Sequence, residues 1–197
     1  MALPKLDTPT YLLEQPSTGE MIKYRPFLVK EQKKLLLAQE SEDEAVMQNS
    51  LAEIVKDCTF DQIDPFNIPL FDVELFFLRI RGKSVGEKIE LSLLSPDDEE
   101  TRVKKTINLE DIDVIMKADH TNEIKITEKI KIVMRYPTLG DTVGFQNEIF
   151  DVFKMIQRCV HEIHDGDKIY HRVDMSEKEL AEFIENLNNE QFEGISE

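Results

Sequence analysis

The stretch DVELFFLRIRGKSVGEKIELSLLS, residues 72–95, contains the change from helical to strand periodicity that decides the fold. Its first half, residues 73–81, has few polar positions, which predicts a helix that is buried on most sides. Asp72 can cap the start of this helix and Gly82 can end it. The second half predicts a strand, because apolar and other residues alternate around Ile89, Leu91 and Leu93. The chain therefore passes from helices into a sheet within this one stretch.

The region before this stretch predicts a hairpin and two helices. Short extended runs at residues 11–14 and 20–24 flank the turn-forming sequence Pro-Ser-Thr-Gly, which is typical of a hairpin. Leucines at helical spacing indicate a first helix over about residues 30–40. Ser41 followed by Glu44 matches a capping box, so a second helix is expected to start there. One apolar stripe follows it: Val46, Met47, Leu51, Ile54, Val55 and Cys58.

The region after the opening stretch predicts strands and then helices. The segments EKIELSLLS, RVKKTINL, DVIMKA and EKIKIVMRYP have β character, which indicates a small antiparallel meander over residues 87–137. Helical spacing returns from Thr142, and the segment HDGDKIYHRVD then forms a loop or a tight hairpin. Ser176 opens a last helix. The apolar faces of the two helices are Ile149, Val152, Phe153, Ile156 and Val160, and Leu180, Phe183, Ile184 and Leu187.

These elements predict an α+β fold with an N-terminal hairpin and helices, a small central antiparallel β-meander and C-terminal helices. Three regions follow from the pattern. Residues 1–86 form the hairpin and the first helices, residues 87–137 form the sheet, and residues 138–197 form the last helices. A chain of 197 residues is long enough to bury a core, and we expect the three regions to fold as one compact unit.

The charge of the chain bears on its partners and its location. Lys and Arg number 24 and Asp and Glu number 40, which gives a formal net charge of -16. Such a chain repels phosphate backbones, so we expect no nucleic acid partner, and a basic or neutral protein is the better expectation. No apolar run reaches membrane-spanning length, and no signal peptide is evident. Cys58 and Cys159 form no disulfide framework, which fits a reducing cytoplasm.

The Gly-Lys-Ser triplet at residues 82–84 matches the end of a phosphate-binding loop. That loop needs a glycine five positions before the second one, and this position holds Phe77. The loop also follows a strand and opens a helix, whereas here a helix precedes and a strand follows. Nucleotide binding is therefore disfavoured, and a helix stop is the simpler interpretation. A second hypothesis is that an exposed basic cluster contacts a partner: Arg79, Arg81 and Lys83.

A second cluster holds residue types that bind zinc: Cys159, His161, His164 and His171. No Cys-x-x-Cys knuckle accompanies it, and a helix through residues 159 and 161 would direct them about 200° apart. A core cysteine with surface histidines is the simpler interpretation. The Asp-Gly-Asp sequence at residues 165–167 lacks the spaced oxygens of a calcium loop and predicts a turn. We therefore expect no metal and no cofactor, with those four residues as the alternative ligands.

The chain shows no pattern that is typical of an enzyme. Its carboxylates occur in runs such as ESEDE and DDEE, which indicate solvated surface, whereas acid–base catalysis needs carboxylates held in a pocket. The serines lack the Gly-x-Ser-x-Gly setting of a nucleophile elbow. We therefore predict a protein without catalytic activity.

Three segments resemble a known family: KYRPFLVKEQKKLLLAQES, FDVELFFLRIRGKSVGE and, less specifically, DGDKIY with SEKELAEFIENLNNEQFEGI. They are similar to the baseplate hub assembly proteins of T4-like bacteriophages, which include the hub subunit and the hub assembly catalyst. The similarity is collinear from about Pro9 to Ile195. Some relatives carry cysteine pairs after the Lys-Ser-Val-Gly-Glu sequence that resemble a zinc finger. This chain reads LSLLSPDDEETR there, so the resemblance implies no metal at that place.

The resemblance implies a viral protein without enzymatic activity that helps to build the hub of a contractile-tail baseplate. Its expected partners are other phage baseplate hub proteins, and its expected location is the cytoplasm of the infected cell. The alternatives are a structural hub subunit that stays in the finished virion baseplate, or a small metal- or nucleotide-dependent protein. The small sheet leaves open strand edges where partner strands are expected to bind.

Overall fold

The structure is a computed structural model that describes residues 6–94, 102–117, 120–142, 144–145 and 149–196. It contains helices towards both ends and small antiparallel sheets between them, which confirms the α+β class. Two compact units are present, Met1–Ile115 and Met116–Glu197. They do not coincide with the regions 1–86, 87–137 and 138–197 that the sequence indicates. A periodicity reports the type of an element but not the elements on which it packs.

The first unit contains two hairpins and three helices. Its elements are β1 (Tyr11–Glu14), β2 (Met21–Tyr24), α1 (Val29–Ser41), α2 (Glu44–Cys58), α3 (Leu70–Val85), β3 (Lys88–Leu94) and β4 (Arg102–Asn108). β1 pairs with β2, and β3 pairs with β4. The core lies between α2, α3 and the first hairpin, and its fully buried side chains include Ile54, Val55, Val73, Phe76 and Ile80. Each such side chain contributes about 1.5–3 kcal/mol through burial.

The start of α2 differs by two residues from the predicted capping box. Ser41 is the last residue of α1, and its hydroxyl donates to the Ala38 carbonyl at 2.7 Å. The cap is Asp43, whose carboxylate accepts hydrogen bonds from the backbone N–H groups of Ala45 and Val46. A carboxylate at this position satisfies two otherwise unpaired donors and lies at the positive end of the helix dipole.

Both predicted ends of α3 require correction. The helix continues through the buried Gly82 to Val85, and it ends at Gly86, whose φ of 112° favours glycine. Asp72 is not the cap, because the helix begins at Leu70 after Pro69. The Asp72 carboxylate is fully buried and accepts hydrogen bonds from the turn of the first hairpin.

The second unit contains a four-stranded antiparallel sheet and three helices. Its elements are β5 (Glu123–Lys125), β6 (Ile130–Met134), α4 (Ile149–Cys159), β7 (Val160–Asp165), β8 (Lys168–His171), α5 (Glu177–Glu185) and α6 (Asn189–Ser196). The strands lie in the order β5-β6-β7-β8. The sheet and helices share a core of Ile126, Ile132, Ile156, Val160, Ile163, Leu180, Ile184 and Ile195. Ser176 caps α5 in a capping box with Glu179, as the sequence predicts for its start.

The central strands are divided between two sheets. β3 and β4 form a two-stranded ribbon in the first unit, whereas β5 and β6 pair with β7 and β8 in the second. Residues 113–117 of the DVIMKA segment have no strand pairing, and the DDEE run lies outside the described residues. The HDGDKIYHRVD segment forms the β7–β8 hairpin, whose turn includes Gly166 with φ 59°. Val160 begins a strand instead of continuing the helix before it.

Candidate functional site

Arg79 and Lys83 lie one turn apart on α3 and both contact the place where the ribbon leaves the helix. We call this place the ribbon root; it consists of Glu87, Leu109 and Glu110. The guanidinium of Arg79 donates to the carbonyl oxygen of Leu109 and, at 2.7 Å, to that of Ile112. The Leu109 side chain is buried, so Arg79 fixes the chain where it turns away from β4.

Lys83 completes the contact with the ribbon root. Its ammonium nitrogen lies 2.5 Å from a carboxylate oxygen of Glu87 and 2.5 Å from one of Glu110. The same nitrogen is 5.4 Å from the centre of the Tyr11 ring. Hydrogen bonds to Glu110 and Glu87 raise the pKa of Lys83, and the hydrogen bond from Lys83 lowers the pKa of Glu110. Glu87 directly precedes β3 and Glu110 follows β4, so Lys83 joins the start of one strand to the end of the other.

Arg81 differs from its two neighbours. It is half-buried, and its Nη1 atom is buried without a hydrogen-bond partner among the residues that the structure describes. Residues two apart on a helix face opposite sides, so Arg81 does not join Arg79 and Lys83 at the ribbon root. The three cations therefore do not form one patch. Their predicted role as a partner contact stays a prediction, with two of them also serving to hold the ribbon.

Ser84 shows what the Gly-Lys-Ser triplet does in the fold. Its hydroxyl accepts a hydrogen bond from the backbone N–H of Phe27 at 2.8 Å and donates to the Ile80 carbonyl. Gly82 packs against Glu87, and a Cβ there would lie 3.7 Å from the Glu87 side chain. Lys83 contacts the ribbon root as described above. All three residues therefore have structural contacts within the first unit.

The ribbon presents one apolar face. β3 and β4 are paired over seven residues each, and partners directly opposite share a face. One face carries Ile89, Leu91, Leu93, Val103, Lys105 and Ile107; the other carries Lys88, Glu90, Ser92, Leu94, Arg102, Lys104, Thr106 and Asn108. Leu93 is 45% exposed and Val103 is 53% exposed. Neither hydrophobic core of the described residues includes a ribbon side chain.

The histidines of the predicted zinc cluster meet a carboxylate that the sequence does not single out. Glu162 lies 2.8 Å from His164 Nε2 and 3.1 Å from His171 Nδ1, and it is 3.8 Å from His161 Nε2. His164 and His171 come together because β7 and β8 pair with Glu162 opposite His171. The hydrogen bond with His164 lowers the pKa of Glu162.

Cys159 has a different environment from the histidines. It is buried, and burial raises the pKa of its thiol to about 11, so the thiolate that binds metal is disfavoured. Within the described part of the chain, no group of three or more His, Cys, Asp or Glu side chains is arranged to hold a metal ion. Among the same residues, none of the helices combines the length and apolar character needed to cross a membrane.

The sequence could have indicated part of this site. Glu87 follows Lys83 by four residues, which is a spacing at which a helical ion pair forms. Nothing in the local pattern indicates Leu109 or Glu110, because their contact with α3 depends on how the ribbon returns. Glu162 is likewise found through strand register, which a single sequence does not fix.

Comparison with known proteins matches the chain to a family. The model of a family described as T4 bacteriophage base plate protein matches residues 8–197. No curated protein and no solved structure matches the chain. The family match covers nearly the whole sequence, including α3 and the ribbon. The chain therefore belongs to the family of T4 bacteriophage base plate proteins.

Proposed function

We propose that this baseplate protein is a hub assembly factor that acts by binding other phage hub proteins and has no catalytic activity. The observation that carries the proposal is the ribbon, whose apolar face is exposed at Leu93 and Val103 while its root is fixed to α3. An exposed apolar surface on a rigid support is typical of a protein-binding site. The proposal places the protein in the cytoplasm of the infected cell during assembly.

The electrostatics of the described residues support binding over catalysis. Two buried acidic groups with lowered pKa values lie in ion pairs that join structural elements, Glu31 with Arg25 and Asp141 with Arg135. These pairs stabilise the fold, so the two shifts have a structural cause and indicate no catalytic group. The raised pKa values of Cys58 and Cys159, about 11, disfavour a nucleophilic thiolate.

The test combines deletion of the protein with capture of its partners. A phage that lacks the protein is expected to accumulate tail fibres and shell components without complete baseplates, as seen by electron microscopy. Tagged protein from infected cells is expected to capture hub proteins, identified by mass spectrometry. Normal baseplates in the deletion, together with capture of no baseplate protein, would reject the proposed function.

A second candidate is a structural subunit that stays in the finished baseplate. The observation that favours it is the uncovered ribbon, because an isolated two-stranded hairpin is only marginally stable in water and gains from a permanent cover. Quantitative mass spectrometry of purified virions separates the two. A fixed stoichiometry per baseplate identifies a structural subunit, whereas absence from virions identifies an assembly factor.

A further inference from the structure

The backbone of β4 has an outer edge that pairs with no other described strand. Leu109 N–H donates to the Glu87 carbonyl at 2.7 Å, one position beyond the Lys88–Asn108 pair of the β3–β4 register. Hydrogen-bonded pairs alternate along an antiparallel ladder. The backbone groups of Val103, Lys105 and Ile107 therefore point at β3. Those of Lys104 and Thr106 point outwards, where they can pair with another strand.

The two edges of the ribbon differ in charge. β4 carries Arg102, Lys104 and Lys105 and has no acidic residue, whereas β3 carries Lys88 and Glu90. Glu90 lies 3.0 Å from Lys104 in an exposed ion pair, and Arg102 and Lys105 form no ion pair among the described residues. The acidic run at residues 97–100 lies outside the described residues. Among the described residues the edge of β4 therefore carries a net positive charge, although the whole chain has a formal charge of -16. At contact distances the nearby charges matter most, because salt screens the remote ones within about 8 Å.

The same charges argue against a second copy of this chain at this edge. Pairing β4 with β4 of another copy would bring the three cations of one strand close to the same three cations of the other, and in several registers directly opposite them. Like charges directly opposite each other destabilise a strand pair. Cations on an edge strand are also a known means of preventing self-association. An acidic strand meets no such repulsion and gains cross-strand ion pairs.

We propose that the outer edge of β4 binds an extended acidic segment of another baseplate protein as a third strand. This inference rests on the proposed function, because it names the surface and the partner chemistry of that binding. The segment alternates apolar and acidic residues. Its apolar side chains continue the face of Val103 and Ile107, and its carboxylates lie beside Arg102 and Lys104. Backbone hydrogen bonds supply affinity, and the alternating side chains supply specificity.

A third strand would also stabilise the ribbon itself. Two-stranded hairpins are marginal in water, and three strands with an apolar face can be stable. The clamp of Arg79 and Lys83 on the ribbon root holds one end of β4 in place before the partner arrives. Less conformational entropy is then lost on binding.

A matched pair of proline variants tests the edge. Thr106→Pro removes an outward N–H of β4, and Ser92→Pro removes an outward N–H of β3; both residues are exposed. Proline is tolerated at a strand edge where the N–H faces solvent. The probe is a labelled nine-residue peptide that alternates Val and Glu, added to the full chain and followed by fluorescence anisotropy. We expect Thr106→Pro to weaken binding about tenfold or more and Ser92→Pro to leave it within about twofold.

Charge variants provide a second pair that does not depend on proline. Arg102→Glu on β4 is expected to weaken the Val–Glu peptide about tenfold, and Lys88→Glu on β3 is expected to have little effect. A peptide that alternates Val and Lys serves as the control ligand. Equal loss for both variants would indicate attraction to the whole ribbon and would overturn the assignment to one edge. Circular dichroism of each variant verifies that the fold is retained.

Hydrogen exchange and capture from infected cells complete the test. Saturating peptide is expected to slow exchange of the Lys104 and Thr106 amides in the full chain, with no change along β3.

If the wild-type protein captures identified hub proteins and both Thr106→Pro and Arg102→Glu capture them equally, the inference is overturned while the proposed function stands. Capture of no hub protein by the wild type rejects both. A wild-type dimer in sedimentation velocity that Thr106→Pro dissociates would assign the edge to a second copy and overturn the acidic partner.

Discussion

The amide group of Gln15, in the turn of the first hairpin, donates a 2.7 Å hydrogen bond to the buried carboxylate of Asp72 in the first turn of α3. The backbone N–H and the hydroxyl of Ser17 donate to the same carboxylate. The Asp72 side chain thus binds Gln15, which lies 57 positions earlier in the chain, and Ser17, which lies 55 positions earlier. The hairpin turn is therefore attached to the helix that forms the centre of the first unit.

Replacing Asp72 with Ala is expected to destabilise the protein by about 2–4 kcal/mol, because three donors lose their acceptor and the Gln15 amide stays buried. The measurement is the free energy of unfolding from urea titration. Glu74→Ala is the matched control, since Glu74 is an exposed acid on the same helix. A loss of less than about 0.5 kcal/mol for Asp72→Ala would show that the turn finds other acceptors.

The pair of Arg25 and Glu31 gives a second prediction. Glu31 is fully buried, accepts from Arg25 Nη2 at 2.9 Å and accepts from the Leu28 N–H at 2.8 Å. Breaking a buried ion pair costs about 3–5 kcal/mol when one charge is left unpaired. We expect a loss in this range for Glu31→Ala, measured by urea titration. Glu53→Ala is the control, because its ion pair with Lys34 is exposed and is expected to contribute less than about 1 kcal/mol.

The position of Glu31 in its helix explains why the sequence did not single out the Arg25–Glu31 pair. A glutamate in the first turn of α1 is expected on the helix surface, beside the positive dipole end. Its burial follows from Arg25, which leaves β2 and donates its backbone N–H to the Cys58 carbonyl at the end of α2. That arrangement depends on tertiary packing, which periodicity does not report.

Helices α1 to α5 and the first hairpin were predictable because their residues carry local signals, whereas the separate helix α6 was not predicted. The apolar stripe of α2 includes Ile54, Val55 and Cys58, and all three are fully buried. The grouping of the strands was not predictable in the same way. β6 pairs with β7, and the 25 residues 135–159 separate them, so the pairing depends on long-range contacts. β5 spans three residues and is too short to show alternation.

The sequence likewise indicated only those parts of the candidate site that depend on residue type and local spacing. Arg79 and Lys83 were identified as candidates because they are cations on an acidic chain, and their identity as a partner contact stays a prediction. Their clamp on the ribbon root depends on the return of the chain at Leu109. The three histidines were recognised from residue type, but Glu162 between them was not, because adjacent strands bring it there.

Acid is expected to weaken the second unit through Asp141. Its carboxylate is buried, and burial alone would raise its pKa. Hydrogen bonds from Arg135 at 2.6 and 2.8 Å and from Thr138 outweigh this and lower the pKa of Asp141 from 3.8 to about 2. Because the folded-state pKa lies below the unfolded value, the stabilisation is complete above about pH 4 and is lost as the pH falls towards 2.

The expected contribution of Asp141 is about 2 kcal/mol, because its folded-state pKa of about 2 lies below the ordinary value of 3.8. The free energy of unfolding of the wild type is therefore expected to fall more steeply between pH 4 and pH 2 than that of Asp141→Asn. Glu128→Gln is the control, because Glu128 is 91% exposed in its ion pair with Lys125. Parallel pH profiles for the wild type and Asp141→Asn would contradict the assignment.

The clamp of Arg79 on the ribbon root predicts a local change without global unfolding. Arg79 donates to the carbonyls of Leu109 and Ile112, and charge-assisted bonds of a half-buried group contribute about 1 kcal/mol here after allowance for solvent. Arg79→Ala is expected to speed hydrogen exchange of the β3 and β4 amides roughly fivefold, because local opening of the ribbon becomes easier. Exchange in the α2 core is expected to stay unchanged. Arg81→Ala is the matched control two residues further along the helix, since Arg81 makes no contact with the root. Equal acceleration in both variants would show that helix charge, and not the clamp, sets the stability of the ribbon.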